Sequence, residues 1–282
     1  MVSADDCAAP PDVRPDDERM DWTSCGAEKL LKEALLSSQF TLWYQPKVDL
    51  RTGELSGVEA LLRWRHPVFG NIPPSEFIPV AESCGMIVSI GEWALHCACR
   101  QAAAWRDEGR PEIAVSVNLS PYQLLHERFV ETVRRSLAHS GLPPQLLELE
   151  ITESRPAVGA AAGNALKELD RLGVRISIDD FGTGYSSLVY LKRFPVRSLK
   201  IDRTFISECT VNCIDARIVK SIIDMAHRLQ LRVVAEGVET QEQLQFLREN
   251  DCDEAQGFLF MEPVPPEELA DRTASLACHG IT

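Results

Sequence analysis

A series of short apolar runs alternates along the chain with longer stretches of helical periodicity, and this alternation most constrains the fold. The strand candidates are Phe40 to Val48, Leu55 to Leu62, Ile113 to Leu119, Leu146 to Thr152, Val174 to Asp179, Ser198 to Asp202, Leu231 to Glu236 and Glu254 to Leu259. Helical patterns occupy Ile90 to Asp107, Pro121 to His139, Ala160 to Leu172 and Ala216 to Leu229. Strands alternating with helices build βαβ units and a largely parallel sheet. The first two candidates break the rule. Only the turn Arg51-Thr52-Gly53 joins them, so a hairpin is expected there rather than a crossover. About eight strands in roughly 250 residues fit one closed barrel better than an open doubly wound sheet. The open sheet's GxGxxG fingerprint is also missing after the early strands.

Composition narrows the class of function. A hydrophobic fraction of 45% with 25% charged residues is that of a globular chain with a core. The most apolar stretch, Phe77 to Trp105, is interrupted by Glu82, Glu92 and Arg100, which disqualifies it as a membrane span. No basic region followed by an apolar one marks a signal peptide. Nine cysteines without framework spacing point to reduced thiols, and so to the cytoplasm. With 29 basic and 42 acidic residues, the formal net charge of −13 argues against binding a nucleic-acid polymer. Residues 1–26 read as a flexible acidic extension or linker, 27–275 as the barrel and 276–282 as a C-terminal tail.

Most strand candidates end in, or run directly into, an acid or amide that an apolar strand does not need. The series is Glu59, Asn118, Glu150, Asp179 with Asp180, Lys200 with Asp202, Glu236 and Gln256. After a first gap of 59 residues that holds extra helical sequence, the intervals each fit one βα unit, so these side chains converge at the C-terminal mouth of a barrel. A single acid at a strand end is ordinarily a helix cap. Glu59 within Val58-Glu59-Ala60-Leu61-Leu62 and Lys200 within Leu199-Lys200-Ile201 are harder to explain so, because a buried lone charge is costly. Converging carboxylates repel one another unless a cation sits among them. All-oxygen donors favour a hard divalent ion such as Mg²⁺ or Mn²⁺. The adjacent pair Asp179-Asp180 suits two ions about 3.5–4 Å apart, a clamp for in-line displacement at phosphorus. No GxxxxGK[ST], HExxH or GxSxG occurs, and the cysteine pairs Cys97/Cys99 and Cys209/Cys213 lack histidines at zinc spacing.

From Ala27 to Pro265 the chain resembles the EAL family of cyclic di-GMP phosphodiesterases. The resemblance is carried by YQPKVDL at Tyr44, VEALLRWRHP at Val58, GNIPPSEFIPVAE at Gly70 and SVNLS at Ser116. It continues through LELEITES at Leu147, ISIDDFGTGYSSL at Ile176, LKIDRTFI at Leu199, VVAEGVET at Val233 and QGFLF at Gln256. It implies an α/β TIM-like (β/α)8 barrel with one antiparallel strand near the start. It also implies hydrolysis of cyclic di-GMP to linear pGpG with two Mg²⁺ or Mn²⁺ ions, Ca²⁺ being inhibitory. By resemblance Glu59, Asn118, Glu150 and Asp179 hold one ion, and Asp179 with Asp180 the other, with Asp202 close by. Lys200 and Glu236 orient and deprotonate the attacking water, Gln256 touches the metal-bound water shell, and Gln45, Leu61 and Arg63 contact substrate. Glu153 supports the loop Phe181 to Ser187, near which relatives dimerise, so a homodimer is expected. A sensor or diguanylate cyclase domain is a further expected partner. The rivals are a receptor that binds cyclic di-GMP without turnover and a barrel hydrolase for another cyclic dinucleotide. The run FLFMEP departs from the more aromatic sequence of relatives without touching a metal position.

Overall fold

A computed structural model of the chain describes residues 24–110, 112–152, 160–183, 191, 194–269 and 272. Helix α1 (Ser24–Leu36) leads into strand β1 (Phe40–Asp49), which turns back as β2 (Leu55–His66). Asp49 makes the turn, its Oδ1 accepting from the backbone N–H of Arg51 at 3.0 Å and of Thr52 at 2.9 Å. Gly53 supplies the positive φ that the turn requires, 74°. After β2 come β3 (Gly70–Ile72), α2 (Pro74–Ser83), α3 (Ile87–Asp107), β4 (Ala114–Leu119), α4 (Pro121–Leu124), α5 (Phe129–Ser140), β5 (Leu147–Thr152) and α6 (Ala160–Leu172). The remainder is β6 (Arg175–Phe181), β7 (Ser198–Ile201), α7 (Arg203–Glu208), α8 (Cys213–Arg228), β8 (Arg232–Ala235), α9 (Gln241–Glu249) and β9 (Glu254–Ala255).

The sheet closes on itself. β1 pairs antiparallel with β2 on one side and with β9 on the other. The pairs β2–β4, β4–β5, β5–β6, β6–β7, β7–β8 and β8–β9 are all parallel. β3 lies outside the ring, antiparallel to the end of β2. This is the TIM-like barrel with one reversed strand that the sequence leads one to expect.

Three local expectations need correction. Strand β9 stops at Ala255 instead of reaching Leu259, because the chain turns at Gly257, whose carbonyl accepts from Phe260 and Met261. A Cβ there would lie 2.1 Å from the Val238 carbonyl oxygen, so only glycine fits. The Pro121 to His139 pattern is two helices, since the solvent-facing residues Leu125 to Arg128 offer no apolar face to bury. The third concerns β3 and α2, which the sequence reading leaves out. Pro79 inside α2 disguises it as a break, although Pro74 at its first turn is a favourable start.

The strands obey a period of two. Val115, Val117, Leu147, Leu149 and Ile176 pack outward against α3, α5 and α6 in one apolar cluster. Ile178, Leu199, Ile201, Val233 and Ala235 do so against the helices of the other half. The alternate residues, Ser116, Glu148, Glu150, Ser198 and Lys200 among them, fill the barrel interior, where they reach one another across strands.

Candidate active site

Lys200, on β7 and 1% exposed, is the hub. Its Nζ lies 3.2 Å from Glu59 Oε2 on β2, 2.8 Å from Glu150 Oε2 on β5, 3.1 Å from Asp179 Oδ1 on β6 and 2.5 Å from Glu236 Oε1 after β8. Four strands thus deliver carboxylates to one ammonium. Asn118 Nδ2 on β4 donates to Glu59 Oε1 at 2.6 Å. Gln256 Nε2, just past β9, donates to Glu59 Oε2 and to Gln45 Oε1 on β1, both at 2.8 Å. Gln45 Nε2 in turn donates to the Met261 carbonyl at 3.1 Å. The antiparallel register of β1 and β2 explains this grouping, because it sets Gln45 opposite Glu59 and Trp43 opposite Leu61.

Asp180 carries a left-handed φ of 54° at the end of β6, a conformation that turns its side chain away from the strand's alternation. Its carboxyl faces that of Asp202. Asp202 also caps α7, its Oδ1 accepting from Thr204 N at 3.0 Å. Arg63, nearer the mouth, donates to the Leu62 carbonyl and stacks its guanidinium over Trp43 at 5.6 Å from the ring centre. Leu61 is half-buried beside it. Glu153 lies outside the described residues, as does most of the loop expected near the dimer contact.

The charges are unbalanced in a way that polarises the site. Burial opposes ionisation of Glu59, yet Lys200, Lys47, Gln256 and Asn118 hold its carboxyl down to about 2. Asp179 goes the other way. Burial raises it, and Glu236, Glu150 and Glu59 add to that beyond what Lys200 can offset. Glu236 is pushed up to about 7, chiefly by burial, with Lys200 opposing. Burial and the facing Asp202 raise Asp180. Lys200 itself stays protonated, its burial outweighed by Asp179, Glu150, Glu236 and Glu59.

This donor set fits a divalent cation. Asp179, Asp180 and Glu236 each offer an oxygen, all within 4.8 Å of one another. Among the acids around Lys200, these same three have carboxyls driven upward, so positive charge is what the cluster lacks. Gln256 Oε1, buried beside Glu59, is left without a hydrogen-bond partner, an acceptor suited to a bound water. Glu236, expected only as a catalytic base, therefore also stands among the possible ligands.

Two buried charges at the site were not anticipated. Lys47 on β1 contacts Glu150 Oε1 at 2.6 Å and Glu148 Oε2 at 3.0 Å, one layer below Lys200. Alternation alone could have found them, because Lys47 follows Gln45 by two residues and Glu148 precedes Glu150 by two.

Comparison with known proteins agrees with the architecture. Residues 28–263 match the EAL domain family, and the chain belongs to it. It is 50% identical over 240 residues to the bifunctional diguanylate cyclase/cyclic di-GMP phosphodiesterase MucR of Pseudomonas aeruginosa, covering 85% of this chain and 35% of MucR. It is 46% identical over 245 residues to the cyclic di-GMP phosphodiesterase NbdA of the same organism, covering 86% and 31%. Among solved structures, a PaMucR phosphodiesterase in complex with c-di-GMP superposes with a TM-score of 0.82 at 49% identity, covering 86% of this chain and 99% of that one. The chain spans about a third of the length of the curated relatives it matches.

Proposed function

We propose that this chain hydrolyses cyclic di-GMP to linear pGpG at the mouth of its barrel. The observation that carries the reading is the convergence of Glu59, Glu150, Asp179 and Glu236 on Lys200, with Asn118 bonded to Glu59 and Asp180 beside Asp179. Its similarity to the MucR phosphodiesterase domain, whose structure holds c-di-GMP, supports the substrate. Glu59, Asn118, Glu150 and Asp179 would hold one Mg²⁺ or Mn²⁺, and Asp179 with Asp180 a second, Asp202 lying close by. Bound there, the ions lower the pKa of a water and polarise the phosphoryl oxygens.

The chain's own groups do the rest. Glu236, held at 2.5 Å from Lys200, takes the proton of the attacking water. Water oxygen bonds to phosphorus as the bond from phosphorus to the ribose 3′-oxygen breaks, and that oxygen takes a proton from solvent to leave as a hydroxyl while Glu236 returns its own to solvent. Lys200, itself buried, stabilises the negative charge that develops at phosphorus. Gln45 and Gln256 orient Glu59 and nearby water, while Arg63 faces a substrate phosphate and Leu61 the adjoining ligand surface.

The reading extends to setting. Val211 and Ile214 are exposed on and before α8, beside an apolar groove formed by Phe181, Ile218 and Met225, which suits a second copy of the chain. Light scattering should give a dimer that Ile214→Asp dissociates. Among the described residues six cysteines are free and no helix is long and apolar enough to cross a membrane, which accords with cytoplasmic work. The length of the relatives suits control by a joined sensor or diguanylate cyclase domain.

The deciding experiment incubates the protein with Mn²⁺ and cyclic di-GMP and identifies the product by mass spectrometry. Formation of pGpG, supported by Mg²⁺ or Mn²⁺ and opposed by Ca²⁺, is expected. Intact substrate with Mn²⁺ shown to be bound would make the chain a receptor instead.

A further inference from the structure

We propose that Lys47 is a positioning residue for the site, gripping one oxygen of Glu150 from below so that the other is presented upward. The inference rests on the metal-dependent reading above, but its direct readout is cation binding.

Every hydrogen of the Lys47 ammonium is engaged. Nζ contacts Glu150 Oε1 at 2.6 Å, Ser116 Oγ at 2.7 Å and Glu148 Oε2 at 3.0 Å. Glu148 is equally fixed, its Oε1 accepting from Ser198 Oγ and its Oε2 from Ser116 Oγ, both at 2.7 Å. Four strands, β1, β4, β5 and β7, thus clamp one ammonium and one carboxylate in the middle of the barrel. Above them, Glu150 is fully buried and splits its two oxygens between layers, Oε1 to Lys47 and Oε2 to Lys200.

Stability is a poor account of such a layer. A barrel interior is ordinarily filled with branched apolar side chains. Replacing a buried ion pair by apolar residues is often neutral or stabilising. What the layer provides is a fixed direction for Glu150. Without the grip on Oε1, the carboxylate can rotate about its terminal bond and turn both oxygens towards Lys200. With it, one oxygen is committed and the other faces Glu59 and Asp179 across Lys200. Groups that hold ligands in this way commonly contribute about 10–100-fold to metal affinity.

The test compares Lys47→Met with the double variant Lys47→Met/Glu148→Gln, which removes the facing charge as well and keeps an amide for the two serines. Free Mn²⁺ is measured by electron paramagnetic resonance, folding by thermal melting, and turnover of cyclic di-GMP by product assay. The single variant should be less stable and bind Mn²⁺ about 10–100-fold more weakly. The double variant should recover stability without recovering affinity. Wild-type Mn²⁺ affinity in the folded double variant would overturn the proposal and leave Lys47 as a charge-balancing residue. Should the wild-type protein bind Mn²⁺ yet leave cyclic di-GMP intact, the enzymatic reading would fail while the binding comparison still decided the role of Lys47.

Discussion

Strand β5 shows two chemistries on one backbone. Leu147 and Leu149 face the helices and join a continuous apolar cluster, while Glu148 and Glu150 face the interior and meet two lysines. β7 repeats the division with Leu199 outward and Ser198 and Lys200 inward. The outer layer gains free energy by leaving water. The inner layer gains little, because each ion pair inside it must first be desolvated. The comparison separates what keeps the chain folded from what lets it act. Substitutions on the two faces should therefore fail in different assays.

The largest effect is expected inside. Glu59→Ala removes a carboxylate that touches Lys200, Asn118 and Gln256, and turnover of cyclic di-GMP should fall by about 10²–10³-fold or more with the fold intact. A product assay alongside circular dichroism checks both halves of that statement, and wild-type rates would remove Glu59 from the site. The outer counterpart is Leu147→Ala. It should cost about 2–5 kcal/mol in urea denaturation while leaving the Mn²⁺ affinity of the folded protein unchanged. A loss of affinity as large as that of the Glu59 variant would erase the distinction between the faces.

Cation binding should link the two. At a hundredfold excess over its dissociation constant, Mn²⁺ should add about 2.7 kcal/mol of stability, seen as a higher melting temperature. An unchanged melting curve at saturating metal would contradict the clustered site. The smallest step is a slope with pH. Unfolded, Glu236 ionises near 4.5, but folded it holds its proton to about 7. Between those values the folded state binds a proton that the unfolded state has released. The metal-free protein should therefore lose stability as pH rises through this window, by at most about 1.4 kcal/mol per pH unit for each such proton. Asp179 acts in the same direction. Glu236→Gln should flatten the slope, and a steeper rise of stability with pH would reverse the assignment.

Much of this was legible in the chain. Alternating runs identified the strands, the short turn at Arg51 gave the reversed β1, and charged residues at strand ends gave the mouth. Two kinds of feature escaped for physical reasons. The helix α2 carries Pro79, and β3 is three residues long, so neither displays a full period. Glu148 sits at the start of β5 and Lys47 near the end of the reversed strand β1, both away from the mouth, where a search for polar residues at the ends of the parallel strands does not look. A count of charges at alternate positions within each run would have exposed them. The end of β9 is set by the approach of Gly257 to the Val238 backbone, a tertiary contact that no local pattern encodes.

The reversal of β1 also decides where the chain enters the barrel. An all-parallel barrel begins at the floor, whereas here Phe40 starts β1 at the rim, opposite Trp64 near the end of β2. Helix α1 packs its Leu31 and Ala34 into the same cluster as Phe40 and Trp64, one residue along from Thr41 and Arg63. The helix that opens the described chain is thereby seated beside the doorway of the chamber, at the rim and not at the floor.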